Sequence, residues 1–168
     1  MNYQQIYSDF YGCILGNRKL EEFGKIKMQK HPIYDLYVFN YTVEAAYENK
    51  WTDHERVARG LILNGEGKAV AKGFDKFFNV GEREESSVEY VSSLIEKETP
   101  RVTMKLDGSL GIVFIHEDDI VVATRGSFVS EQAIWAKNWL VNHLVNQGKL
   151  DEFIYRLRTH TLLVEIMY

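Results

Sequence analysis

Between Arg101 and Thr124 three apolar runs are cut by two turn signals, Asp107-Gly108 and Glu117-Asp118-Asp119. Asp-Gly between apolar runs is a strong marker of chain reversal, and runs this short suit strands better than helices. The stretch therefore predicts an antiparallel meander, with strands over Arg101 to Lys105, Gly111 to Ile115 and Ile120 to Thr124. A sheet of this kind must cover at least one apolar face, so the rest of the chain is read for what covers it.

The 168 residues, 45% of them hydrophobic, suffice for one well-packed domain and fall short of two ordinary ones. Upstream, Ile6, Phe10, Cys13 and Ile14 recur at helical spacing over residues 2–14, and Gly16 closes that helix. Asn17 to His31 is charged and weakly periodic and reads as a loop ending at Pro32, so residues 1–32 form a helix and loop ahead of a core over 33–168. Tyr34 to Val43 is aromatic and β-branched and predicts a strand, followed by a connection over Ala45 to Asp53 in which Trp51 caps the sheet. Val57 to Leu63 and Lys68 to Phe74, joined at Asn64-Gly65-Glu66-Gly67, read as a hairpin that puts Arg59 on the side of Leu61 and Leu63. A charge on an apolar face calls for a ligand or a carboxylate.

Ser87 to Lys97 spaces Val88, Val91, Leu94 and Ile95 as a helix with one buried side, stopped by Pro100. After the meander, Ser130 can cap a helix running to about Asn146, Gly148 ends it, and a second helix covers Leu150 to Arg158. The last element is a strand over Thr161 to Tyr168, and Phe77 and Trp135 are assigned to the core. Strands grouped apart from helices give an α+β fold, antiparallel sheets flanked by helices.

Several function classes drop out at this level. A net charge of −4 argues against coating nucleic acid through a broad basic surface, though an enzyme acting on a nucleotide or an RNA end needs only a local cluster of cations. Cys13 is the only cysteine, which rules out an intramolecular disulfide and fits a reducing cytoplasm. The polar start, Met1-Asn2-Tyr3-Gln4-Gln5, is unlike a signal peptide, and no apolar run approaches the ~18 residues that span a membrane.

Lys105, at the end of an apolar run and followed by Asp107-Gly108, resembles the nucleophile of the covalent nucleotidyltransferases, a lysine that attacks the α-phosphate of a nucleotide to give a phosphoramidate. A lysine with a pKa of about 10.4 costs about 4 to 5 kcal/mol to hold neutral at pH 7. Burial and neighbouring cations lower that cost, and Arg59, Lys76 and Arg125 are the candidate cations.

Four further stretches accompany Lys105-Leu106-Asp107-Gly108: Ala58-Arg59-Gly60, Lys76-Phe77-Phe78-Asn79, Thr124-Arg125-Gly126-Ser127 and Leu162-Leu163-Val164-Glu165. In this order they resemble the phage-type, ATP-dependent RNA ligases of the tRNA-repair group, within the covalent nucleotidyltransferase superfamily. The resemblance runs from about Tyr34 to Tyr168 and implies an adenylyltransferase domain of the ATP-grasp-like ligase type. It implies that Lys105 becomes adenylylated and passes AMP to a 5′-phosphate RNA end before attack by a 3′-hydroxyl, with ATP and Mg²⁺ required. It further implies nucleotide or phosphate contacts at Tyr41, Arg59, Lys76, Phe78, Gly108 and Arg125, and a ribose contact at Glu165. Arg125 stands where relatives carry lysine, a planar fork in place of a point charge.

Two later motifs of these ligases, an apolar-flanked Glu-Gly that positions metal and a Lys-x-Lys that touches the triphosphate, do not follow Lys105. Gly65-Glu66-Gly67 and Lys25-Ile26-Lys27 lie upstream of it and read as a turn and a solvated loop. The expectation is a domain incomplete at its C-terminus, completed by a missing segment or a partner chain, with little joining activity alone. Two alternatives stand beside it: a non-catalytic module that binds nucleotide or RNA ends, and a DNA ligase or capping-type nucleotidyltransferase sharing the Lys-x-Asp-Gly core.

Overall fold

The structure is a computed structural model that describes residues 1–167. Helix α1 (Tyr3–Ile14) starts at Asn2, whose side chain accepts from the Gln5 N–H, and buries Ile6, Phe10 and Cys13. Strands β1 (Ile26–Lys30) and β2 (Leu36–Tyr41) pair antiparallel, placing Lys27 opposite Asn40. The segment that reads as a loop from Asn17 to His31 thus contains a strand. Ile26 and Met28 do alternate with polar neighbours, but the cations between them mask a short edge strand.

The connection after β2 is also more regular than its sequence suggests. It holds α2 (Val43–Glu48), capped by Thr42, and α3 (Asp53–Val57), capped by Thr52 and Glu55 in a reciprocal box. Strand β3 (Leu61–Asn64) begins only after Gly60, so Arg59 sits at a helix-to-strand corner and not on the strand face expected for it. Strand β4 (Ala69–Lys72) completes a sheet of order β1-β2-β3-β4.

Helix α4 (Val88–Ile95) forms at the place its periodicity predicts, capped by Ser87, yet none of its residues is buried. Its apolar stripe lacks the covering layer that the spacing implies. The strand expected over Arg101 to Lys105 is absent, and Val102, Met104 and Lys105 are exposed in irregular chain. The reason lies in the second sheet, ordered β6-β5-β7, where β5 (Ser109–His116) is flanked on both edges by β6 (Asp119–Thr124) and β7 (Leu162–Ile166). With both edges of β5 filled, its upstream neighbour finds no ladder there. The C-terminal strand takes the third place in the sheet, and the last residue expected in it, Tyr168, lies outside the described residues.

Three layers of apolar contact hold these elements. Phe10 of α1 stacks on Phe39 of β2 at 4.6 Å and, with Leu61 and Leu63, fills the outer face of the first sheet. The opposite face of that sheet, Leu36, Val38, Ile62 and Ala71, packs on Ile112, Phe114, Val121 and Ala123 of the second. The far face of the second sheet, Val113, Ile120 and Val122, is covered by α5 (Glu131–Asn146) and α6 (Leu150–Leu157). Period-2 alternation thus serves two cores from each sheet, and each fully buried aliphatic or aromatic side chain contributes roughly 1.5–3 kcal/mol of burial free energy. Among the described residues no helix is long and apolar enough to cross a membrane.

Candidate active site

Antiparallel pairing decides which ends of these strands meet. The register Phe39 to Leu61 and Leu61 to Lys72 gathers the end of β2, the start of β3 and the end of β4. In the second sheet Gly111 pairs with Thr124, and Leu110 with Glu165, gathering the start of β5 and the ends of β6 and β7. Because the two sheets pack face to face, both sets of ends open on one cleft of about 780 Å³.

Five of the sequence candidates line this cleft: Arg59, Lys105, Gly108, Arg125 and Glu165. A connected pocket of about 220 Å³ is lined by Tyr41 and Lys76 and shares Arg59, Phe77 and Arg125 with the cleft. Arg125 Nη1 donates to the Tyr41 hydroxyl at 3.1 Å, and Arg59 Nη1 donates to the Phe74 carbonyl at 3.1 Å. The Glu165 carboxylate makes no ion pair among the described residues and accepts the Gly108 N–H at 3.0 Å. That contact ties the end of β7 to the turn after Lys105. Gly108 has no room for a side chain, since a Cβ there would lie 2.4 Å from the Ile166 carbonyl oxygen.

The two phenylalanines of Lys76-Phe77-Phe78 line different cavities. Phe77 is exposed, lines the cleft and carries the Arg59 guanidinium 5.1 Å from its ring centre, so it does not belong to the core. Phe78 lines a neighbouring cavity of about 570 Å³ with Trp51 and Tyr90, and Lys76 Nζ lies 4.1 Å from its ring centre. Arg56 and Arg83 approach the same ring at 5.4 and 4.9 Å, so Phe78 serves as a platform that places Lys76. Trp135 is likewise not core: it is partly exposed on α5, stacked on Trp139.

The electrostatics correct the expectation for Lys105. Its side chain is 83% exposed and pairs with Asp107. The hydrogen bond and charge of Asp107 raise the Lys105 pKa above the ordinary lysine value, the opposite of the depression expected from burial. The depressed amine is Lys76, lowered by burial and by Arg59, Arg83 and Arg125 against an opposing pull from Glu82. Burial, with Arg125 adding to it, likewise lowers Arg59. The ring of cations therefore surrounds the pocket beside Lys105 and does not enclose its amine.

Lys27 is the cleft cation that reading the sequence misses. It reaches the cleft from β1, whose sequence looks like a solvated loop. Among the described residues, no group of three or more His, Cys, Asp or Glu side chains is arranged to hold a metal ion.

A cleft carrying a surplus of cations, an accessible lysine beside Asp-Gly and a carboxylate fixed by the backbone is suited to a phosphorylated ligand, and known proteins agree in kind. A family model described as RNA ligase matches residues 57–167, which include Arg59, Lys76, Lys105, Gly108, Arg125 and Glu165. A protein of Autographa californica nuclear polyhedrosis virus, named as a putative bifunctional polynucleotide kinase/RNA ligase, is 33% identical over 125 residues. That match covers 69% of this chain and 17% of the viral protein, so the chain spans a small part of that relative's length. With about two thirds of its sequence matched and five candidate residues of the matched part lining one cleft, the chain belongs to the phage-type RNA ligase family.

Proposed function

We propose that the chain is an ATP-dependent RNA ligase acting in RNA repair, in which Lys105 takes AMP covalently and passes it to a 5′-phosphate RNA end for attack by a 3′-hydroxyl. The observation that carries this reading is the convergence of Lys105, Gly108, Glu165, Arg59 and Arg125 on one cleft. In the first step the Lys105 Nζ lone pair forms a bond to the α-phosphorus, the bond to pyrophosphate breaks, and the amine loses a proton. Asp107, hydrogen-bonded to that amine, is placed to receive the proton. Arg59, Arg125 and Lys76 hold the phosphates and neutralise charge that builds on them, and preorganised stabilisation of this kind often contributes more to catalysis than any other effect. Among the described residues Glu165 is the one carboxylate lining the cleft, where it accepts the Gly108 N–H, and no group of three or more His, Cys, Asp or Glu side chains is arranged to hold a metal ion. Mg²⁺ belongs in this reading with the phosphates of the nucleotide, where it supplies charge neutralisation.

The adduct step tests the reading, because it uses only cleft residues. Residues 1–168 incubated with α-labelled ATP and Mg²⁺ should acquire an acid-labile label, and α-labelled GTP should give none. Label from GTP alone would point to capping chemistry. The exposure of Lys105 favours one second reading, a module that binds nucleotide or RNA ends without reacting. Saturable ATP binding with no covalent label, both in residues 1–168 and in a form extended to supply the later motifs, would establish it in place of the first.

A pH profile follows from the Lys105–Asp107 pair. The attacking amine must be neutral, and Asp107 holds its pKa above the ordinary value, so the neutral fraction at any given pH is smaller than for an isolated lysine. Adduct formation should rise with pH through the alkaline range, and Asp107→Asn should move the inflection to lower pH. An inflection that does not move would show that Asp107 does not set the titration.

A further inference from the structure

Five cations line the cleft and its connected pocket, and four are engaged. Arg59 donates to the Phe74 carbonyl, Lys76 to the Phe77 carbonyl, Arg125 to the Tyr41 hydroxyl, and Lys105 to Asp107. Lys27 alone has neither a hydrogen bond nor an ion pair from its side chain among the described residues. An unpaired surface lysine is ordinary by itself. A fifth cation beside the four of the cleft and its connected pocket is not, because like charges brought together raise the free energy of the empty site, and an anion relieves it.

The placement of Lys27 is specific. It is exposed on β1 opposite Asn40, and its Cε lies 3.3 Å from where a Cβ on Gly126 would be, so its stem runs across the glycine of Thr124-Arg125-Gly126-Ser127. Beside it, Ser127 Oγ accepts the Val129 N–H at 3.1 Å, leaving its own hydroxyl proton to donate. Lys27 lines the larger compartment and not the pocket of Lys76, so the two lysines serve different ends of the cavity. It also lies outside the matched residues 57–167.

We propose that Lys27 and the Gly126–Ser127 loop form a second phosphate subsite, separate from Arg59 and Lys76, that receives the terminal 5′-phosphate of the RNA strand. The inference rests on the RNA ligase reading. A reaction with two phosphorylated substrates needs a place for the second phosphate near Lys105, and the open compartment admits a polymer end where the small pocket does not.

Binding measurements test this without requiring turnover. Single-stranded RNA oligomers with a 5′-phosphate or a 5′-hydroxyl, and separately ATP and AMP, are titrated against the wild type, Lys27→Ala and Lys27→Arg. Lys27→Ala should lower the preference for 5′-phosphate over 5′-hydroxyl RNA by about tenfold, the scale of one charge-assisted hydrogen bond. Lys27→Arg should retain most of that preference, and the preference for ATP over AMP should stay put. A fall confined to the ATP-over-AMP ratio would overturn the RNA assignment and give the subsite to the nucleotide. If neither ratio changes while the ATP adduct forms normally, the subsite is refuted and the ligase reading survives. If the wild type binds neither RNA nor nucleotide, both fall together.

Discussion

Lys105→Ala and Lys105→Arg are each expected to reduce the nucleotide adduct to background while leaving the fold unchanged. Removing the nucleophile of a covalent enzyme can cost a factor on the order of 10⁶, and arginine cannot substitute because its guanidinium does not lose a proton near neutral pH. The fold should be indifferent, since the Lys105 side chain is exposed and its hydrogen-bond partner, Asp107, is exposed too. Circular dichroism and urea unfolding of the variants should therefore overlay on the wild type. The sharper comparison is with Lys76→Ala. Lys76 is the amine that burial and neighbouring guanidiniums make easier to deprotonate, so geometry and electrostatics nominate different lysines. On the present reading Lys76→Ala slows the adduct without eliminating it, by weakening the hold on phosphate. A label that survives Lys105→Ala and disappears in Lys76→Ala would transfer the nucleophile's role to Lys76.

The difference between those lysines marks where sequence patterning stops being informative. Strand ends can be placed because apolar runs and Asp-Gly turns are local signals, and β5, β6, α5 and α6 lie where those signals put them. Pairing is not local. Nothing in Val102, Thr103 and Met104 states that β7, some sixty residues later, occupies the edge of β5 that they could have taken. Burial of Lys105 follows only if that strand forms, and without the strand the amine stays in water. Arg59 is a second case: Thr52 and Glu55 announce a helix start, and the helix they cap takes in Val57, so the strand expected from Val57 begins only at Leu61. The cleft is insensitive to both differences, because the chain order of the motifs fixes which ends must meet once the sheets are antiparallel. Lys27 is invisible for another reason, since two apolar residues alternating with polar ones on a five-residue edge strand are too short a pattern to separate from a solvated loop.

Gly60→Ala should lower stability by about 2 to 5 kcal/mol in urea unfolding. Two costs combine there. Gly60 has φ +72°, a left-handed conformation that costs an alanine about 1 to 2 kcal/mol. A Cβ at Gly60 would also lie 2.5 Å from Ile112 Cδ1, and forcing a methyl group into packed surroundings costs about 1 to 3 kcal/mol. Ile112 is fully buried between the two sheets, so the strain cannot be relieved at the surface. Ile112→Val removes the offending methyl, and in the double variant the second cost should largely disappear while the backbone cost remains. The cycle therefore predicts a favourable coupling of about 1 kcal/mol or more between the two substitutions. Strict additivity would mean that the chain at Gly60 moves aside without touching the second sheet. Since Gly60 is the corner that delivers Arg59 to the cleft, the same displacement should weaken phosphate binding, and Ile112→Val should restore it in step with stability. Recovery of stability without recovery of binding would separate the corner's role in the fold from its role in placing Arg59.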